Sequence, residues 1–206
     1  MKNTRIKDIL DETFSELKLF YRDTNLPEDL IAHYKIGQII KERSFTDMSY
    51  IGGGLSGNLR YLIASSEARD LSKFNPDSVK NGHSLLDDNS FFKVLDIQKI
   101  KNKTQIFLLN IPGNSLPLFK NSTSNLEEEI TEKARRKFID KVDSALIPEL
   151  QTENWKDRTK LPLGMDENGQ LFFDDSTIKI EEPKRIEINK TEKKIEINKK
   201  PWWKIW

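Results

Sequence analysis

Phe91-Phe92-Lys93-Val94-Leu95-Asp96-Ile97, then Lys101-Asn102-Lys103, then Thr104-Gln105-Ile106-Phe107-Leu108-Leu109-Asn110-Ile111, carry strong strand signals. Both long runs are rich in aromatic and β-branched residues, which suit a pleated, half-buried surface. The polar triplet between them is short enough to be a turn, so the two runs read as an antiparallel hairpin. Upstream, Leu59-Arg60-Tyr61-Leu62-Ile63-Ala64 reads as a strand, as do Lys18-Leu19-Phe20-Tyr21-Arg22 and Phe45 to Ser49. A middle built mainly of strands predicts an α+β domain with a split, mainly antiparallel sheet and flanking helices.

The flanks supply the helices. Ile6, Ile9, Leu10, Phe14 and Leu17 follow helical spacing and predict an amphipathic helix over about residues 4–18. Leu26-Pro27-Glu28-Asp29-Leu30 resembles a helix start, with Pro where its missing N–H costs nothing. Leu126, Ile130, Ala134, Phe138, Val142 and Ala145 recur at helical steps, Ser124 offers an N-cap, and Glu127 completes a capping box. This predicts a helix near 125–146, closed by Pro148. Residues 69–82 read as a polar loop. Gly52-Gly53-Gly54 with Gly57 reads as a flexible loop and not a phosphate cradle, because no Gly-Lys-Ser/Thr follows.

The chain has 206 residues, 33% of them charged and 36% hydrophobic. Its 34 basic and 33 acidic side chains leave a net charge of +1, which excludes a global nucleic-acid field. Lys41, Arg43 and Arg60 could make a small basic patch, but Glu42 and Glu67 break it, so no DNA or RNA partner is expected. The absence of Cys excludes disulfides and thiolate sites, and His33 with His83 cannot build a three-His zinc site. No apolar run approaches the ~20 residues of a membrane helix. The N-terminus lacks a signal-peptide core, so the expected location is the cytoplasm, with export by a route independent of a signal peptide left open.

The composition shifts near residue 176. Arg185-Ile-Glu-Ile-Asn-Lys190 returns as Lys194-Ile-Glu-Ile-Asn-Lys199. Residues 177–206 hold nine basic and five acidic side chains, and three of the four Trp residues lie in Pro201-Trp202-Trp203-Lys204-Ile205-Trp206. The expected organisation is a domain over 1–175, a charged repeat-bearing linker over 176–200, and a terminal docking peptide over 201–206. Trp202, Trp203 and Trp206 would anchor it on a protein partner, with the protein's own body and a membrane surface as other destinations.

Taken in order, Arg22 at a strand end, Phe45-Thr46-Asp47-Met48-Ser49, then Asn81-Gly82-His83 before a leucine-rich strand and the final hairpin, resemble the Arg–Ser–Glu class of ADP-ribosyltransferase folds. The resemblance covers roughly half the chain. It implies that Arg22 faces the phosphates of NAD, that Phe45, Thr46 and Ser49 line the nucleotide site, and that His83 stands near the ribose. Asp47 takes the place of a serine. The family's Glu-x-Glu carboxylates fall on Asn81 and His83, so both are missing. A carboxylate is what would stabilise positive charge developing on the ribose. His83 cannot supply one, and Glu67 or Asp47 would have to.

Three functions follow from this. The first is a catalytically impaired domain that binds a nucleotide, such as NAD or ADP-ribose, or a protein, and requires no cofactor. The second is an active, divergent NAD-dependent effector or toxin. The third is an interaction protein unrelated to NAD that docks through its tail. The plain alternatives for the residues themselves are a surface ion pair for Arg22, ordinary strand positions for Phe45, Thr46 and Ser49, and a loop position for His83. Convergence of Arg22, Ser49 and His83 on one cleft separates the NAD-derived readings from the third.

Overall fold

The computed structural model describes residues 2–179, apart from 77 and 121. In chain order its elements are helix α1 (Lys2–Phe14), strand β1 (Lys18–Thr24), helix α2 (Glu28–Ile31), strands β2 (Ile39–Lys41), β3 (Thr46–Ser49), β4 (Leu59–Ser65) and β5 (Arg69–Asp70), helix α3 (Ser78–Asn81), strands β6 (His83–Leu86), β7 (Phe91–Ile100) and β8 (Lys103–Ile111), and helices α4 (Leu116–Phe119), α5 (Asn125–Lys141) and α6 (Glu153–Thr159). The eight strands form one sheet in the order β2-β7-β8-β4-β1-β3-β6-β5. All neighbours are antiparallel except β4 and β8. The class is α+β, as the sequence implied.

The hairpin forms the spine. Lys101 turns it in the left-handed region at φ 55°, and β7 and β8 pair from Phe91↔Ile111 to Ile100↔Lys103 with an irregularity between Val94 and Asp96. Alternation then divides the apolar residues between two faces. On one, Phe20, Met48, Tyr61, Ile63, Phe92, Val94, Ile106 and Leu108 pack under Ile31, Tyr34, Leu163 and Met165. On the other, Leu62, Ala64, Phe107 and Leu109 pack with Ile9 and Phe14 of α1, Phe119 of α4, and Ile130 and Ala134 of α5.

The helices deviate from the sequence reading at their ends and in one addition. Helix α1 stops at Phe14, and α5 stops at Lys141 and not at Pro148. Ser124 does cap α5, its hydroxyl accepting from the Glu127 amide at 3.1 Å. The polar stretch 69–82 contains β5, a 3₁₀ turn and α3. The glycine loop packs tightly: Gly54 N–H donates to the Ala145 carbonyl, and the Gly53 and Gly54 carbonyls accept from Arg60. A side chain at Gly52 would collide with the Tyr21 ring. Helix α6 was not anticipated.

The chain remains tied to the body beyond 175. Asp175 accepts from the Ile39 amide and pairs with Lys120, and Ile178 packs against the second apolar face. No helix among the described residues is long and apolar enough to cross a membrane. The repeats and the terminal Trp residues, 202, 203 and 206, lie outside the described residues.

Candidate functional site

The site lies where the sheet splits. Strand β1 pairs with β4 along all seven of its residues but meets β3 at one position, Tyr21↔Ser49. Beyond that pair the two strands part. Strand β6 continues on the far side of β3, with Ser49 opposite His83. The topology therefore carries Arg22, Thr46, Asp47, Ser49 and His83 to one junction.

Asp47 is its hub. One carboxylate oxygen, Oδ1, lies 2.7 Å from His83 Nε2 and 3.5 Å from Arg158 Nη1. Its backbone carbonyl accepts from Arg22 Nη1 at 2.9 Å. Burial works against ionisation of this carboxyl, but the His83 hydrogen bond and charge, with Arg158 and Arg22, outweigh it and hold its pKa below the usual value. His83 is 7% exposed and opens β6, so it is a strand residue and not a loop histidine. Its ring meets the Trp155 indole edge-on, with centroids 5.3 Å apart.

Arg22 is not a surface ion pair. It is 5% exposed, and among the described residues its three hydrogen bonds go to backbone carbonyls: Asp47 at 2.9 Å, Arg158 at 3.2 Å and Leu161 at 3.3 Å. Its Nε has no partner among the described residues. Burial lowers the guanidinium pKa, against the fields of Tyr61, Asp47, Glu42 and Tyr34. Nearby, the Tyr34 and Tyr61 hydroxyls lie 2.6 Å apart, and burial pushes Tyr61 up to about 12.

The remaining candidates divide. Ser49 is committed to structure: its hydroxyl donates to the Asn81 carbonyl at 2.6 Å and accepts from the Ile51 amide at 2.9 Å. Thr46 is fully buried with Oγ1 unpartnered among the described residues, as is Asn81 Oδ1. Phe45 is 56% exposed and lines a pocket of about 350 Å³ with Arg22, Ser44, Arg158, Leu161 and Phe172. Glu67 follows the end of β4 remote from the split. Its electrostatic neighbours are Glu12 and Asp87; burial, then those charges, raise its pKa. The structure does not bring Glu67 to Arg22; the carboxylates whose fields act on Arg22 are Asp47 and the buried Glu42, and of these Asp47 is the one hydrogen-bonded to His83.

Sequence reasoning missed what fills the split. Helix α6 and the residues after it, 153–163, lie against the parted ends of β1 and β3. Thr159 donates to the Asp23 carbonyl at 3.0 Å, and Thr24 donates to the Lys160 carbonyl at 3.2 Å. Leu163 accepts from Tyr34, and its amide donates to the Tyr61 hydroxyl. The available signal was Thr152, whose hydroxyl caps α6 by accepting from the Trp155 amide, with Glu153 in the first turn and Lys156 and Arg158 in the last. A dinucleotide does not fit the split in this arrangement. The segment occupies it, and both terminal nitrogens of Arg22 are engaged by backbone carbonyls.

No family model and no curated protein matches the chain. Among solved structures, it is similar to the type III effector XopAI of Xanthomonas axonopodis pv. citri, at 18% identity and TM-score 0.40, over 49% of this chain and 46% of that one. It is also similar to the ADP-ribosyltransferase HopU1 of Pseudomonas syringae pv. tomato, at 19% identity and TM-score 0.41, over 46% and 45%. A third is Vis toxin, an ADP-ribosyltransferase from Vibrio splendidus, at 16% identity and TM-score 0.39, over 51% and 52%. The chain spans about half the length of each.

Proposed function

We propose that the chain is an ADP-ribosyltransferase-like domain that acts by binding a nucleotide or a protein and does not turn over NAD. The observation that supports this reading is the Asp47–His83 pair. Cleavage of the bond to nicotinamide leaves positive charge on the ribose, and a carboxylate with uncompensated charge is what stabilises it. Asn81 and His83 carry no such charge, and the carboxylate that stands beside them is engaged at one oxygen by His83 and approached by Arg158. Asp47 thus serves to order the junction. No cofactor is required, and NAD or ADP-ribose is a ligand in this reading. The test is nicotinamide release from NAD by the purified chain. Release no faster than in buffer is expected, and robust release would favour the active-effector reading.

The Trp-rich end supports a protein partner. Each Trp buries ~150–250 Å² when it packs, so clustering three within residues 202–206 suits an anchor. Deletion of 201–206 is expected to leave the melting temperature of the body nearly unchanged and to abolish recruitment in a pull-down from the native host. A large loss of thermal stability would place the Trp residues in the protein's own core.

A further inference from the structure

We propose that residues 153–163 are a plug that occupies the Arg22 site in place of a phosphate-bearing ligand, and that binding requires the plug to withdraw. This rests on the nucleotide-binding side of the reading above.

The chemistry at Arg22 motivates it. A buried guanidinium ordinarily faces a carboxylate or phosphate, whose paired oxygens match its planar fork. Arg22 makes no ion pair among the described residues. Two of its three acceptors, the Arg158 and Leu161 carbonyls, belong to the plug. They lie at and just beyond the C-terminal end of α6, where unpaired carbonyl oxygens concentrate partial negative charge. The plug thus presents oxygen acceptors where an anion's oxygens would otherwise sit.

The closed arrangement is incompletely satisfied. Among the described residues, five buried side-chain polar atoms lack a partner, and three of them are at this junction: Arg22 Nε, Thr46 Oγ1 and Asn81 Oδ1. Buried polar groups are normally paired, so such a cluster marks a place built for a different set of contacts. Space for movement is at hand. The pocket of about 350 Å³ is lined by Arg158, Leu161, Pro162 and Leu163 of the plug with Arg22 itself, and Leu161 is half-exposed. Two side-chain latches hold the plug to β1, Thr159 to the Asp23 carbonyl and Thr24 to the Lys160 carbonyl.

The experiment removes the latches and leaves Arg22 intact. Thr24→Val with Thr159→Val keeps the side-chain shape and deletes both bonds. ADP-ribose and inorganic pyrophosphate are titrated by calorimetry into the wild type, the double variant, and the double variant carrying Arg22→Gln. Amide hydrogen exchange over 153–163 reports the plug in the full chain. A ligand that must wait for an open state binds more weakly by the fraction open. Loss of two partly buried hydrogen bonds should therefore tighten binding about tenfold. Binding should raise exchange at 153–163, and Arg22→Gln should remove it. Where the double variant does not fold, Trp155→Phe loosens the same segment from the His83 ring and takes its place.

Equal affinity in the wild type and the loosened variant, with 153–163 protected in the complex, would overturn the plug and leave the binding reading standing. Binding of neither probe by a variant whose 153–163 exchange shows it open would overturn the plug and the nucleotide reading together.

Discussion

The sheet from β2 to β1 and its junction with β3 are held by different interactions. Across β7, β8, β4 and β1 the ladders run unbroken for most of each strand, and both faces are covered by apolar side chains. At the junction one backbone pair remains, and cohesion passes to Asp47, Arg22, His83 and a segment more than a hundred residues away in sequence. Apolar ladders stabilise without direction, since burial depends on area removed from water. Polar junctions stabilise only in one geometry and are costly when half-made. The first kind of region makes a scaffold, and the second makes a place that can change partners.

The most severe test of this contrast lies in the scaffold. Phe92 is fully buried on β7, and Phe92→Ala should cost about 3–5 kcal/mol from lost transfer energy and the cavity left behind. Urea denaturation would measure it. A loss under about 1 kcal/mol would mean that the site collapses around the cavity and that the scaffold is less rigid than its ladders imply.

At the junction the expected effect is smaller. Asp47→Asn removes the charged acceptor of His83 and the attraction of Arg158, for a loss of about 1.5–3 kcal/mol, the range of hydrogen bonds to charged groups. The same variant gives a pH test. Because the folded-state pKa of Asp47 is depressed, its contribution is present above the ordinary Asp value of about 4 and is lost as pH falls through the folded value. The stability gap between wild type and Asp47→Asn should thus be full at pH 6 and shrink below pH 4. A gap that is constant or widens on acidification would show that Asp47 gains nothing from its partners as a carboxylate.

These two regions were also unequally legible in the sequence. Strands β7 and β8 announced themselves because their aromatic and β-branched residues, among them Phe92, Val94, Ile106 and Phe107, prefer the strand places they occupy. Arg22, Phe45 to Ser49, and Asn81 to His83 each stood out in the sequence, but that β1, β3 and β6 stand side by side, with β2, β4 and β5 passing to other places in the sheet, is a property of the fold. The contacts that define the junction did not show. Asp47 and His83 are 36 positions apart, and nothing in either neighbourhood requires them to meet. Glu67 drew attention as an available carboxylate, but the direction of β4 carries it away from Arg22. Helix α6 is seven residues long, and its buried face is Trp155 and Thr159, too few for a hydrophobic stripe. Its position comes from hydrogen bonds to strand ends, and periodicity carries no information on those.

The finest test compares two helix caps of the same chemistry in the two regions. Ser124 caps α5, which packs on the scaffold through Ala134 and Phe138, and Thr152 caps α6 at the junction. Either residue changed to Ala should cost about 1 kcal/mol, the usual worth of an N-cap. What differs is where the loss appears. Helix α5 is covered along its length by the apolar face, so Ser124→Ala should be felt only in global unfolding. Helix α6 is short and held by a few polar bonds, so Thr152→Ala should raise local opening over 153–163 before the sheet is affected. Amide hydrogen exchange can separate the two outcomes. In Thr152→Ala, exchange should quicken about fivefold at 153–163, the equivalent of ~1 kcal/mol, with β7 and β8 amides unchanged. If both variants accelerate exchange equally through the hairpin, the junction opens only when the whole domain unfolds. The contrast between scaffold and junction would then be one of composition and not of independent motion.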